Sequence, residues 1–542
     1  MQTVLKEPMP RSAYVYPASF VTGITAIVIL SAVLFMLRLT SNIAFTEPLH
    51  LITSGSEEQS FLSLWKFIHG QPVYTDPHKI PFTSSYLNWL FYGFYGSCIK
   101  VVLAVIRLSD AWIPTVGRLI TVFFSAAGFF ITRRTWVEIF HDASRQGKWL
   151  AVLVPFYLFF GPLPAFWPLT TRPDMAAMVF EMLAFYFFIK EFQNRPIQAA
   201  LFATFFVFLA WSFKQANVTV FLSLFLFCLI HDRRAAGLMA CMMAALCSLA
   251  LWLGGSGYRE STLFSLPIPG FSVALGLKNS FYYLVECAFA IPGYLAMGAV
   301  FFSKSLKEKM QSNPIFGLCF ITALVSSLYG WLTSHKIGAS ENYFIPASIF
   351  VTFFFFLYFL NSGVEIKTPH PEERSDEGSQ NRSFASLRMT PKATKQLRVS
   401  PYSLYFSLLV NALLIFAILF GIKGHVSKRY EHNEAIELLK CAGPLPRPSF
   451  SQFVYLNLPW MLGGESFIPG YTYWAEKGRE KHYERGGIEG LIREGYFASL
   501  LLEKRSMGEI IGISAESGNT FRNYREQKSA CPSTHAVFIR TG

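Results

Sequence analysis

Apolar runs recur along the chain at 18–37, 84–106, 115–132, 149–163, 175–190, 197–213, 216–231, 235–254, 281–303, 314–333, 343–361 and 403–422, with polar connections between them. A helix of roughly 20 apolar residues crosses a bilayer core, and the shorter runs reach across by borrowing flanking residues. The pattern predicts an all-α polytopic membrane bundle. The first run, Ala18 to Leu37, exceeds the ~7–15 residues of a signal-peptide core and is expected to stay as an anchor.

Charge then sorts the connections. If Ser84 to Ile106 lies on the outer surface and every other run crosses, connections 133–148, 190–196, 231–234 and 304–313 fall inside with eleven Lys and Arg, against five in the outer connections. Were Ser84 to Ile106 to cross, every one of these loops would change sides and the positive-inside bias would invert. About eleven spanning helices are expected, with juxtamembrane helices in the first outer loop, 38–114, and a cytoplasmic N-terminus. Trp89, Phe91, Tyr92, Phe94 and Tyr95, interleaved with Gly93 and Gly96, suit the headgroup boundary. The run VTFFFFLYFL at 351–360 reads as lipid-facing, or as the lining of a groove for a lipid tail.

Composition agrees. Hydrophobic residues make up 52% of the chain and charged ones only 15%, where soluble proteins average about 25% charged. The net charge of +13 is read as cytoplasmic-loop topology and not as a nucleic-acid face. Residues 1–361 are expected to form the transmembrane region. Residues 362–402, polar and mixed in charge, read as a disordered cytoplasmic insertion; its HPEERSDEGSQNRSFASLRMT resembles a translated bacterial repeat element and points to a bacterial source. Residues 403–422 are the last span, and 423–542 a small C-terminal α/β region outside the membrane, periplasmic or extracellular. Cys98, Cys228, Cys241, Cys247, Cys287 and Cys319 sit in hydrophobic segments as small apolar residues. Cys441 and Cys531 share the outer C-terminal region, where a disulfide could form.

With sides assigned, the polar residues that packing does not explain fall on one face: Glu57 and Glu58; Arg172 and Asp174 in TTRPDM; Lys214 and Gln215 in FKQAN; and His335, Lys336, Glu341 and Asn342 in SHKIGASENYF. Plain structural roles stand beside the functional ones. Arg172 and Lys214 could snorkel from span ends, and Asp174 after Pro173 suits a helix start. Glu57 with Glu58, and His335 with Lys336, could be hydrated loop residues. Within the spans, Glu181 and Glu286 read as bundle-facing hydrogen bonders.

The ordered set resembles the GT-C membrane glycosyltransferases. It consists of an acidic pair in the first outer loop, then HGQPVYTDPHKIPFTSSYLNWLFYGFYG, TRPD opening a span, KQAN, and KIGASENYF. The branch is similar to protein O-mannosyltransferases and the lipid A aminoarabinose transferase, family 39-like, over roughly residues 15–360. The family carries Asp-Glu where this chain has Glu57-Glu58. The resemblance implies juxtamembrane helices over the bundle and a polyprenyl-phosphate sugar donor. It also implies transfer with inversion on the outer face of the bacterial inner membrane. The acceptor is a hydroxyl of unspecified origin.

The chemistry assigns roles. A hydroxyl nucleophile needs a base, typically worth about 10²–10⁴-fold, and Glu57 is the candidate, with Glu58 and Asp174 as neighbouring catalytic carboxylates. Arg172, His335 and Lys336 are candidates to bind the departing donor phosphate. Lys214, Gln215, Glu341 and Asn342 are candidate substrate-binding groups. Glu57, Glu58 or Asp174 could hold a divalent cation. The alternatives are a transporter or flippase, which predicts inverted repeats and broken spans, and a non-catalytic binder of lipid-linked sugars.

Overall fold

The structure is a computed structural model. It describes residues 17–45, 56–83, 85–141, 144–164, 166–261, 270–303, 313–336, 339–361, 401–421, 429–442, 445–461, 467–468, 483–503, 523–527 and 535–541. Residues 362–400 of the expected insertion, and Cys531, lie outside the described residues.

The helices are α1 (Ala18–Asn42), α2 (Ser56–Ile68), α3 (Trp89–Ile106), α4 (Ile113–Phe140), α5 (Arg145–Phe160), α6 (Asp174–Glu191), α7 (Pro196–Phe213) and α8 (Thr219–His231). They continue as α9 (Arg233–Leu253), α10 (Gly255–Arg259), α11 (Val273–Glu286), α12 (Ala290–Phe301), α13 (Pro314–Ser334), α14 (Ile345–Asn361) and α15 (Pro401–Gly421). Local chemistry sets several starts. Ser144, Asp232, Ser272 and Asn313 accept first-turn amide N–H groups of α5, α9, α11 and α13, and proline occupies the first turn of α4, α7 and α13.

Among the described residues eight helices are long and apolar enough to cross a membrane, α3 included; α11 and α12 qualify as a pair bent by 101°. Yet both ends of α3 meet one end of the bundle. Asn88 Nδ2, at its start, donates to the Trp211 carbonyl at 2.6 Å. Asp110, just past its end, accepts from Trp65 Nε1 of α2 at 2.9 Å. Trp211 closes α7 and α2 abuts the start of α4, so α3 runs along the end where these termini meet, as expected of a juxtamembrane helix. α1, α4 to α9, the bent pair, α13, α14 and α15 form the bundle.

The phenylalanine run departs from expectation. Phe353, Phe354, Phe355 and Phe356 of α14 are all buried. Phe356 packs on Trp136 at 4.8 Å, and Phe354 on Phe316 and Phe320 at 5.2 and 5.3 Å. The run faces protein instead of lipid, because α14 is the bundle's inner helix and is apolar on every side.

Beyond the bundle lie α16 (Arg429–Ala442), β1 (Ser449–Ser451), α17 (Gly487–Arg493), β2 (Ser499–Glu503), β3 (Tyr524–Gln527) and β4 (His535–Arg540), with sheet order β1-β2-β4-β3. Strand alternation divides β2 between two small cores. Leu500 and Leu502 join Phe450, Phe467 and Phe497, while Leu501 joins Leu438, Leu456 and Val537. Cys441 is disulfide-bonded. The domain docks on the first loop: the Glu484 N–H donates to the His78 carbonyl at 2.9 Å and Phe82 joins its core.

Candidate functional site

Three chain segments meet where α2, α4 and α6 begin. The first turn of α2 places Glu57 and Glu58 fully inside the protein. Glu57 Oε1 accepts the Thr171 amide N–H at 2.7 Å, and Arg118 Nη2 lies 3.8 Å from Oε2. Arg118, wholly buried, also donates to the Phe45 carbonyl beyond α1. That guanidinium places one positive charge beside Glu57. Sequence reading passed over Arg118; its signal is an arginine inside the apolar run 115–132, a costly placement that needs a partner.

Thr171 leads directly into the second group. Pro173 precedes α6, and Asp174 opens it above the apolar stretch that begins at Met175. Asp174 Oδ1 accepts from Lys214 Nζ at 2.5 Å and from Asn342 Nδ2 at 2.7 Å; Arg172 Nε lies 3.3 Å from Oδ2. Burial alone would raise the Asp174 carboxyl, but the Lys214 ammonium and Arg172 guanidinium, with the hydrogen bonds from Lys214 and Asn342, hold it well below the usual carboxylate range. Ser340 Oγ donates to Asn342 Oδ1 at 3.1 Å, fixing which end of the amide faces Asp174.

Aromatic faces steady the cations. The Arg172 guanidinium sits 5.2 Å from the Trp167 ring centre, and Lys214 Nζ 5.0 Å from that of Tyr343. Trp167 Nε1 donates to Glu341 Oε1 at 3.1 Å. Gln215 Nε2 donates to the Tyr86 carbonyl at 2.6 Å and holds the chain entering α3. A small cavity of about 20 Å³ opens beside this group, lined by Asp174, Lys214, Asn217, Tyr329, Asn342 and Tyr343 among others. The charged residues of that lining are Asp174 and Lys214, paired with each other, and Arg172 meets Asp174 outside it.

His335 and Lys336 sit apart from that lining. The His335 ring stacks on Phe271 at 4.7 Å, its Nδ1 is 2.7 Å from the Trp331 carbonyl, and it presses on Gly276, where an added Cβ would stand 2.3 Å away. Lys336 is exposed and pairs through its backbone with Phe271. Within the bundle, Glu181 accepts from Thr219 Oγ1 at 3.0 Å and Asn217 Nδ2 at 3.4 Å, the hydrogen-bonding role expected of it. Glu286 lies at the break between α11 and α12, where its carbonyl accepts from Tyr157 Oη at 2.8 Å.

No family model matches the sequence, and no curated protein matches it. Solved structures do. ArnT from Cupriavidus metallidurans in the apo state superposes with a TM-score of 0.51 at 12% identity, over 95% of this chain and 98% of that one. The archaeal oligosaccharyltransferase AglB from Archaeoglobus fulgidus, in complex with an inhibitory peptide and a dolichol-phosphate, gives 0.52 at 10% identity, over 97% and 74%. The chain therefore shares the fold of these two structures.

Proposed function

We propose that the protein is an integral membrane glycosyltransferase that moves a sugar from a polyprenyl-phosphate donor to a hydroxyl acceptor. The observation that carries this reading is the pair Arg172 and Lys214, braced on Asp174 beside a small cavity lined by Lys214 and Asp174, with Glu57 buried behind residue 171 of the same segment. Cations fixed in place before reaction stabilise charge that develops on a departing phosphate without reorganising.

In the proposed step the acceptor oxygen attacks the anomeric carbon, its proton passes to Glu57, and the sugar–phosphate bond breaks with its electron pair leaving on the polyprenyl phosphate. Attack opposite the leaving group inverts the anomeric centre. Glu57 is fully buried, so in this reading the residues around it move for substrate to reach it. Arg172 and Lys214 take the phosphate, Asn342 orients Asp174, and Glu58 stands beside the base. His335 and Lys336, given phosphate roles from sequence, have no place in this arrangement.

We place the site on the outer face of the bacterial inner membrane. The disulfide at Cys441 supports that side, since disulfides persist in oxidising compartments. A transporter is favoured by one observation, the 101° break between α11 and α12. The experiment that separates the two offers radiolabelled polyprenyl-phosphate sugars to membranes bearing wild-type, Glu57→Gln or Lys214→Ala protein at equal expression. Donor consumption by wild type that both variants lose supports transfer. Equal consumption by all three removes the assigned roles, and label crossing the bilayer unchanged identifies a transporter.

A further inference from the structure

Lys214 opens the short segment 214–219 that joins α7 to α8, and neighbouring elements grip that segment residue by residue. Gln215 Nε2 donates to the Tyr86 carbonyl at 2.6 Å, and Tyr329 Oη of α13 donates to the Ala216 carbonyl at 2.5 Å. The Asn217 N–H donates back to the Lys214 carbonyl at 3.0 Å. That bond closes a turn, so the place of Asn217 sets the place of Lys214.

Glu181 holds the other side of the turn. Its Oε1 accepts from Thr219 Oγ1 at 3.0 Å and from the Val220 N–H at 3.5 Å, at the start of α8, and its Oε2 accepts from Asn217 Nδ2 at 3.4 Å. A wholly buried carboxylate in a spanning helix is costly, and among the described residues every hydrogen bond that Glu181 accepts comes from residues 217–220. Capping α8 requires only Thr219 and Val220; the bond to Asn217 is the one that reaches the lysine. Asp174, Met178 and Glu181 follow one face of α6, the two acids about 10 Å apart along it, with Met178 on the cavity wall between them. One carboxylate grips the Lys214 ammonium and the other grips the turn that carries it.

We infer that Glu181 is a positioning residue for Lys214: it fastens the 214–217 turn to α6 so that the ammonium meets Asp174 at the cavity. The inference rests on the phosphate role proposed for Lys214 and carries that site two turns of α6 into the bundle. Glu181 touches no substrate in this arrangement and acts through Asn217 alone.

The test uses the full chain purified in detergent and the variant Glu181→Gln, which keeps the size of the side chain and an acceptor for Thr219 but turns an amide N–H toward Asn217 Nδ2. Coupling between Asp174 and Lys214 is read from a double-mutant cycle of unfolding temperatures, with Asp174→Asn and Lys214→Met, in wild-type and Glu181→Gln chains. It is expected to fall by about half or more in the Glu181→Gln chain. Unchanged coupling overturns the inference even where Glu181→Gln lowers every unfolding temperature, since that lowering is all that a cap on α8 would produce. Affinity for a polyprenyl monophosphate is the second measurement. Glu181→Gln is expected to weaken it about 10-fold in the wild-type chain and to add little in a Lys214→Met chain; an equal loss in both chains overturns the inference. Should wild type bind no polyprenyl phosphate while the coupling still falls, the phosphate reading fails and the positioning of Lys214 by Glu181 stands.

Discussion

Glu57 and Asp174 are both buried carboxylates at one end of the bundle, and their surroundings differ in kind. Glu57 sits in a seat made of protein donors, the Thr171 amide and the Arg118 guanidinium. Asp174 faces a cavity and carries two cations and an amide. A carboxylate held by two cations is a poor proton acceptor but a good brace. The difference separates a candidate base from a candidate scaffold for phosphate binding, although a sequence shows only two acids.

The comparison breaks most sharply at Glu57. Glu57→Gln should keep the fold and lose about 10²–10⁴-fold in transfer rate, measured with labelled donor at equal expression. A loss confined to stability would make Glu57 a strut like Asp174. Asp174→Ala should act the other way: leaving Arg172 and Lys214 buried without their counter-charge costs about 3–5 kcal/mol, read as a fall in thermal unfolding temperature in detergent. A Lys214→Met change added to it should restore part of that loss.

A pH profile sharpens the contrast with a third buried charge. Lys66 of α2 donates to Thr83 Oγ1 at 2.8 Å, and burial lowers it to about 8 from its ordinary 10.5. Between those values the unfolded chain binds more protons than the folded one, so stability rises with pH across that window. Lys66→Met should flatten the rise, which is worth about 1–3 kcal/mol. The smallest expected effect is at Ser340: Ser340→Ala removes one hydrogen bond to Asn342, costing about 1 kcal/mol, seen as a slight weakening of donor binding with the maximal rate kept.

Much of the bundle was legible because a membrane solvent demands long apolar runs, and loop charge separated α3 from the crossing helices. The acid pair, Arg172, Asp174, Lys214 and Asn342 were legible as polar residues on one face. Other features were hidden for specific reasons. The direction of the His335 ring depends on Gly276, a contact outside its own segment that no local pattern displays. The interior position of α14 was invisible because a helix apolar on every side gives no periodic cue to what covers it. Arg118 was legible in principle, yet it was absorbed into its apolar run.

The segment from Thr171 to Asp174 touches both acids: its first amide grips Glu57, its arginine and aspartate face each other, and its proline launches α6. It works as a ruler whose marks are residues apart in sequence. Swapping one mark for another of like chemistry alters a single reading, whereas inserting or deleting one residue displaces every reading at once. Among descendants of this chain, length across these four positions should therefore be guarded more strictly than spelling.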